Sequence, residues 1–239
     1  MALALTLALG VGGIAYAGGT GAAENEARVV GKVTPKKLEK KKFKKVNLFT
    51  GVETDANVDG SQENPAAEKI SFGKNIKFKS GAAPVCTSAL PNGTTTDQAR
   101  DACPAKSFLG EGTATVQAPV DPPGLIDDVV VSAFNGPLKN QLRLHTYSPT
   151  LGVASPTVQG FIINANEGKK YKKALFVPEA PETGSLMITS FNTKIKKKSG
   201  VVRARCKAKK FFWKREVTYT DNSTETATLS QKCKRKKKK

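Results

Sequence analysis

The chain has 239 residues, with 39 Lys/Arg against 20 Asp/Glu, a formal net charge of +19, four cysteines and one histidine. That length supports one large all-β domain or two small ones, with a full core and no need for a structural metal. The cysteines include no Cys-x-x-Cys pair, so a zinc ribbon lacks its ligand spacing, and neither a GxxxxGK[ST] nor a helix-opening GxGxxG phosphate loop occurs.

In chain order, residues 1–17 read as a signal peptide. Ala2 to Leu9 is an apolar run, and Ala15-Tyr16-Ala17 supplies a small-x-small cleavage pattern. No Lys or Arg precedes the run, and Gly21-Ala22-Ala23 offers a second cut. The stretch is short and Gly-rich for a spanning helix, which needs about 20 apolar residues. Residues 18–45 are expected to be a flexible leader and then a basic arm, because Glu39 to Lys45 has no apolar stripe. A single β-sandwich domain is expected over residues 46–233. Its strands begin at Val46 to Val52, Lys69 to Phe72 and Asn75 to Phe78, which alternate apolar with polar. Ala82 to Pro104 is irregular, with one helical turn over Thr96 to Ala102 capped by Thr96 or Asp97. Strands follow at Phe108–Val120, Asp128–Phe134 and Gln141–Tyr147, separated by the turn signals Asp121-Pro122-Pro123-Gly124 and Asn135-Gly136-Pro137. Gly110-Glu111-Gly112 reads as a bulge within the first of these. Further strands are read at Val158–Asn164, Tyr171–Val177, Leu186–Ile195, Val201–Lys207, Phe211–Thr220 and Thr224–Leu229. About a dozen short strands without a long helical repeat define an all-β protein, an antiparallel β-sandwich or a related barrel. Residues 234–239 form a basic tail expected to be disordered.

Cys86, Cys103, Cys206 and Cys233 make an even set, which suits an oxidising compartment. Four cysteines permit three pairings. The two local ones, Cys86–Cys103 and Cys206–Cys233, are favoured, each closing a loop worth about 3 kcal/mol in the chain-entropy model.

Charge is uneven along the chain, with nets of +6 over residues 24–45, −3 over 46–165 and +16 over 166–239. Basic ends around a slightly acidic middle point to polyanion contact at the ends, or to ordinary solvated strand faces. Within Val201 to Lys214, period two sets Arg203, Arg205, Lys207 and Lys209 on one face, against Val202, Ala204, Cys206 and Ala208. Lys210, Lys214 and Arg215 follow, mixed with Phe211, Phe212 and Trp213. These seven basic residues are the candidate polyanion-binding set. Their charges would hold phosphate or sulfate, and exposed rings would stack bases or sugars. Should Phe211 and Trp213 instead fill the core, only the charges remain.

His145 sits mid-strand opposite Leu142 and Leu144, with no nucleophile motif near it, and reads as a solvated or edge-packed strand histidine. A glycosidase needs two facing carboxylates, but the adjacent Asp127 and Asp128 point to opposite strand faces. Catalytic residues, cofactors and metals are therefore not assigned. Asn92-Gly93-Thr94 and Asn222-Ser223-Thr224 fit the glycosylation pattern.

The order of several short motifs resembles an uncharacterised family of secreted β-rich proteins from actinobacteria. They are Pro35-Lys36-Lys37-Leu38, Ile70-Ser71-Phe72, Cys86, Ala102-Cys103-Pro104, Leu109-Gly110-Glu111-Gly112, Phe134-Asn135-Gly136, Leu142-Arg143-Leu144-His145, Arg205-Cys206, Tyr219-Thr220-Asp221 and Cys233. The resemblance implies export and a β-rich fold, and no activity. The leading expectation is a secreted, non-enzymatic protein meeting anionic envelope polymers or lipid head groups, and nucleic acid only non-specifically. A secreted hydrolase with a site assembled from distant residues and a purely structural module are the alternatives.

Overall fold

Alternation of apolar and polar side chains commits most of this chain to strands with one buried face. The computed structural model describes residues 27–54, 65–118, 124–178 and 187–236. The expected signal peptide, residues 18–26 of the leader, the turn residues Asp121 to Pro123 and Lys237 to Lys239 lie outside them.

The strands are β1 (Ala27–Thr34), β2 (Lys37–Leu38), β3 (Lys44–Lys45), β4 (Asn47–Thr54), β5 (Pro65–Gly73) and β6 (Ile76–Phe78). After the helix α1 (Thr96–Ala102) come β7 (Phe108–Ala118), β8 (Gly124–Asn135), β9 (Gln141–Ser148), β10 (Val153–Asn164), β11 (Tyr171–Val177) and β12 (Met187–Ile195). The chain closes with β13 (Val202–Ala204), β14 (Lys210–Tyr219), β15 (Thr224–Lys232) and β16 (Lys234–Arg235).

The all-β, antiparallel expectation holds. The layering differs from a two-sheet sandwich: one 11-stranded sheet, ordered β1-β4-β12-β7-β8-β9-β10-β11-β5-β14-β15, curls until its ends meet. Ten antiparallel steps leave the first and last strands running the same way, so no antiparallel ladder can close the ring. Side chains join the seam instead. The Val33 N–H of β1 donates to Gln231 Oε1 of β15 at 2.8 Å. Gly31 of β1 lies against the Trp213 indole of β14, and a Cβ there would sit 2.5 Å from Trp213 Cε2. A side chain at position 31 would push the seam open.

Phe72, Phe211 and Trp213 fill the interior together with Val29, Val33, Leu48, Val131 and Leu144. This corrects the leader-and-arm reading from residue 27 onward, since Ala27–Thr34 is an edge strand whose Val29 and Val33 enter the core. It also corrects the tail, whose first residues form β16, parallel to β2.

A three-stranded sheet, β3-β13-β6, lids one end of the barrel by burying Ile76, Val202 and Ala204 against its core. Between lid and barrel, Phe78, Leu142, Ile162 and Val201 line a cavity of about 10 Å³. That holds no more than one water and is far below the volume of a ligand pocket. On the outer wall, residues 83–107 cover β8 and β9, packing Leu90, Ala99 and the Cys86–Cys103 bridge over Phe134. The cap of α1 is Thr95 rather than Thr96 or Asp97. Its hydroxyl accepts from the Gln98 N–H, and its own N–H donates to Gln98 Oε1, a reciprocal capping box.

Candidate functional site

The lid gathers the basic residues. In β13 the inward Val202 and Ala204 anchor the strand, which turns Arg203 outward. Register then sets Arg203 opposite Lys45 of β3 on one side and Lys77 of β6 on the other. Directly paired residues share a sheet face, so three cations stand abreast. Phe43 lies beside them, its ring centroid 4.6 Å from Lys77 Nζ and 4.5 Å from Arg205 Cζ.

Two sequence segments about 160 residues apart in the chain build this surface. Backbone bonds stitch them together: Val46 N–H to Val202 O at 3.2 Å, Cys206 N–H to Glu39 O at 2.9 Å, and Lys234 and Lys236 N–H to Lys36 and Leu38 O at 2.9 Å. The Cys206–Cys233 bridge, with Sγ atoms 2.06 Å apart, holds the end of β15 to the lid. Arg235 donates to Lys207 O at 2.7 Å. Lys36, Lys37, Lys40 to Lys42, Lys44, Lys45, Lys77, Lys79, Lys207, Lys209, Lys210, Lys232 and Lys234 to Lys236 are exposed around this end.

Acidic compensation is sparse here. Glu39 pairs with Lys44 at 3.0 Å, and Glu111 pairs with Lys196 at 2.6 Å and Arg100 at 3.1 Å. Among the described residues, Lys45, Lys77 and Arg203 form no ion pair. The buried Nε atoms of Arg203 and Arg205 have no hydrogen-bond partner. Like charges directly across a sheet destabilise it, and these are left uncompensated.

Five of the seven expected basic residues, Arg203, Arg205, Lys207, Lys209 and Lys210, belong to this end. The other two do not. Arg215 is a correction: it points into the barrel at 1% exposure. There Nε donates to Glu68 Oε1 at 3.0 Å, while Nη1 donates to Glu53 O at 3.0 Å and Thr54 Oγ1 at 3.1 Å. Burial pushes the Glu68 carboxyl above its ordinary value, and the Arg215 charge and hydrogen bond pull against that. The physical reason is period two in β14, where Phe211, Trp213, Arg215 and Val217 share the inner face. Lys214, on the outer face, is already paired with Glu167 at 3.3 Å and Glu216 at 3.0 Å.

Those two glutamates also share Lys69, at 3.0 Å from each. Burial pushes Glu167 up, but bonds from Ser71 and Lys69 outweigh it and leave it low, and bonds from Lys69 and Lys214 lower Glu216. Two carboxyls held low are poorly suited to general-acid work at neutral pH, which needs a raised value.

His145 is not solvated, and no acid among the described residues pairs with it. It is buried under the 83–107 segment, its Nε2–H donating to Thr94 O at 2.9 Å, while Nδ1 has no partner. Burial pushes its imidazole below the ordinary value; the Thr94 carbonyl opposes this and the Arg143 charge adds to it. Arg143 binds the same segment, donating to Cys86 O at 3.2 Å and Ser88 O at 2.7 Å. Both side chains fasten the segment to the wall. No group of three His, Cys, Asp or Glu among the described residues could hold a metal, and no described helix is long and apolar enough to cross a membrane.

Lys45, Lys77 and Phe43 were missing from the sequence-based set. Their neighbours in the lid come from distant strands, so only the pairing register reveals them. Comparison with family models, with curated proteins and with solved structures finds no match for this chain. The fold therefore defines the class by itself: an all-β, two-disulfide near-barrel with one lidded, strongly basic end.

Proposed function

We propose that this protein is exported and works as a non-enzymatic binder of anionic polymers or head groups at the cell envelope, using the lidded end. One observation carries the reading. The N-terminal and C-terminal basic segments are stitched together on one surface, against their mutual repulsion, with few acids to offset it. Uncompensated positive charge gathered on one face stores the free energy that an anion releases on arrival. Export is supported by the apolar start with its Ala15-Tyr16-Ala17 pattern, by the resemblance to secreted β-rich actinobacterial proteins, and by two disulfides, which persist in oxidising compartments.

The test is a salt titration of binding to an immobilised anionic polymer. Each neutralised anionic group releases counterions, so affinity falls log-linearly with salt. With six or more contacts the loss is about a thousand-fold between roughly 50 and 200 mM salt. Absence of retention at low salt, or retention that high salt leaves unchanged, would overturn the proposal.

A further inference from the structure

We infer that the row Lys45–Arg203–Lys77 is a discrete phosphate subsite, and that its ligand is a linear phosphate polymer without bases. This rests on the binding function proposed above and goes further by naming the subsite and the ligand chemistry.

The argument for a subsite is geometric. The three residues sit on adjacent strands at the inter-strand backbone spacing of about 4.8 Å, so the positions that carry the cations cross the sheet over about 10 Å. Arg203 is half-buried between two exposed lysines, and its Nε is buried without a partner. The guanidinium is thus partly desolvated with a donor still open, and desolvation strengthens any bond it makes to an anion. Phosphate oxygens diverge, so one phosphate can bridge cations on neighbouring strands. A carboxylate keeps both oxygens in one plane and suits a single guanidinium. Linked phosphates can occupy the whole row at once, which a single phosphate cannot.

The argument against bases comes from the aromatic rings. Single-stranded nucleic acid is held by bases stacked on exposed rings. Phe211 and Trp213 are fully buried in the barrel. Phe43 already serves Lys77 and Arg205, and Phe212 serves Lys170 at 4.5 Å. A stacking base would have to compete with these cation–π contacts. What remains open to a ligand is charge.

The experiment uses the secreted protein and inorganic polyphosphate of graded chain length. Its comparison arms are oligothymidylate, polyglutamate and anionic phospholipid vesicles. The triple variant K45Q/K77Q/R203Q is set against K232Q/K234Q/K236Q, which removes equal charge from the C-terminal tail and leaves the Arg235 bonds in place. The row variant should bind polyphosphate about 50-fold more weakly at 0.15 M salt and lose about 2 from the log–log salt slope, at roughly 0.7 per contact. The tail variant should change both far less. Relief of like-charge repulsion should also raise the melting temperature of the row variant, which removal of a structural element would not do.

Equal losses in the two variants would refute the subsite while leaving polyanion binding intact. Failure of the unaltered protein to bind polyphosphate at low salt would refute both. Oligothymidylate or polyglutamate binding as tightly per charge as polyphosphate would overturn the ligand class. Vesicle binding that free polyphosphate competes away would support phosphate chemistry with a lipid source.

Discussion

Replacing Arg215 by Met removes the charge that, among the described residues, pairs with Glu68 inside the barrel. The Arg215 side chain is 2% exposed and that of Glu68 is 19% exposed. Breaking a buried pair from one side costs about 3–5 kcal/mol, chiefly because the remaining charge stays buried. Glu68 keeps some solvent contact, so the lower end, about 3 kcal/mol, applies. That is a large share of the roughly 5–15 kcal/mol that holds a domain folded. The assay is urea unfolding of R215M, E68Q and R215M/E68Q across pH. The double variant, with neither charge, should lie closer to the unaltered protein than R215M does. The pH dependence has a definite sign. Without Arg215, the folded-state value of Glu68 rises further above its unfolded value. Stability is then retained below the unfolded value and lost as pH rises through the folded one, so the R215M deficit should shrink towards pH 4. A cost below about 1 kcal/mol, or a deficit that grows on acidification, would refute this account of the buried pair.

Two further outcomes follow from other parts of the barrel. Gly31→Ala should cost about 1–3 kcal/mol by overpacking against Trp213, and Trp213→Phe in the same chain should recover part of it. An unchanged urea midpoint for G31A would show that β1 does not rest on the indole. His145 is held neutral, with its folded-state value depressed, so its contribution is present above the unfolded value of about 6.5 and is lost as pH falls. The thermal midpoint should therefore drop between about pH 7 and pH 5, and His145→Gln should flatten that slope. A slope indifferent to the substitution would place the titration elsewhere.

Much of the wall was legible because strand alternation is local. Tyr171 to Val177 matches β11 end to end, and Gln141 to Tyr147 matches β9 to within one residue. Of the three pairings open to four cysteines, the local one, Cys86–Cys103 and Cys206–Cys233, was favoured for nearness in the chain, and both bridges form. Ala27–Thr34 was harder. Gly31 and Lys32 interrupt the apolar pattern, and the segment looks like a strand only where Trp213 needs a residue without a side chain. Arg215 failed for a related reason. Alternation assigns it to the same face as Phe211 and Trp213, whereas charge assigns it to water. Glu68, 147 residues away, decides between them by supplying a buried counter-charge.

The sequence by itself determined the fold class and the excess of positive charge at both ends, because each follows from short-range pattern or from composition; it left the cysteine pairing among three alternatives. Only the tertiary structure decided that the sheet is one curled wall, that its seam is closed by side chains, and which cations stand together. Those depend on strand order and register, which are set by the packing of residues far apart in the chain. The lid shows this directly: Lys45, Lys77 and Arg203 become neighbours only after Val202, Ala204 and Ile76 have buried the opposite face.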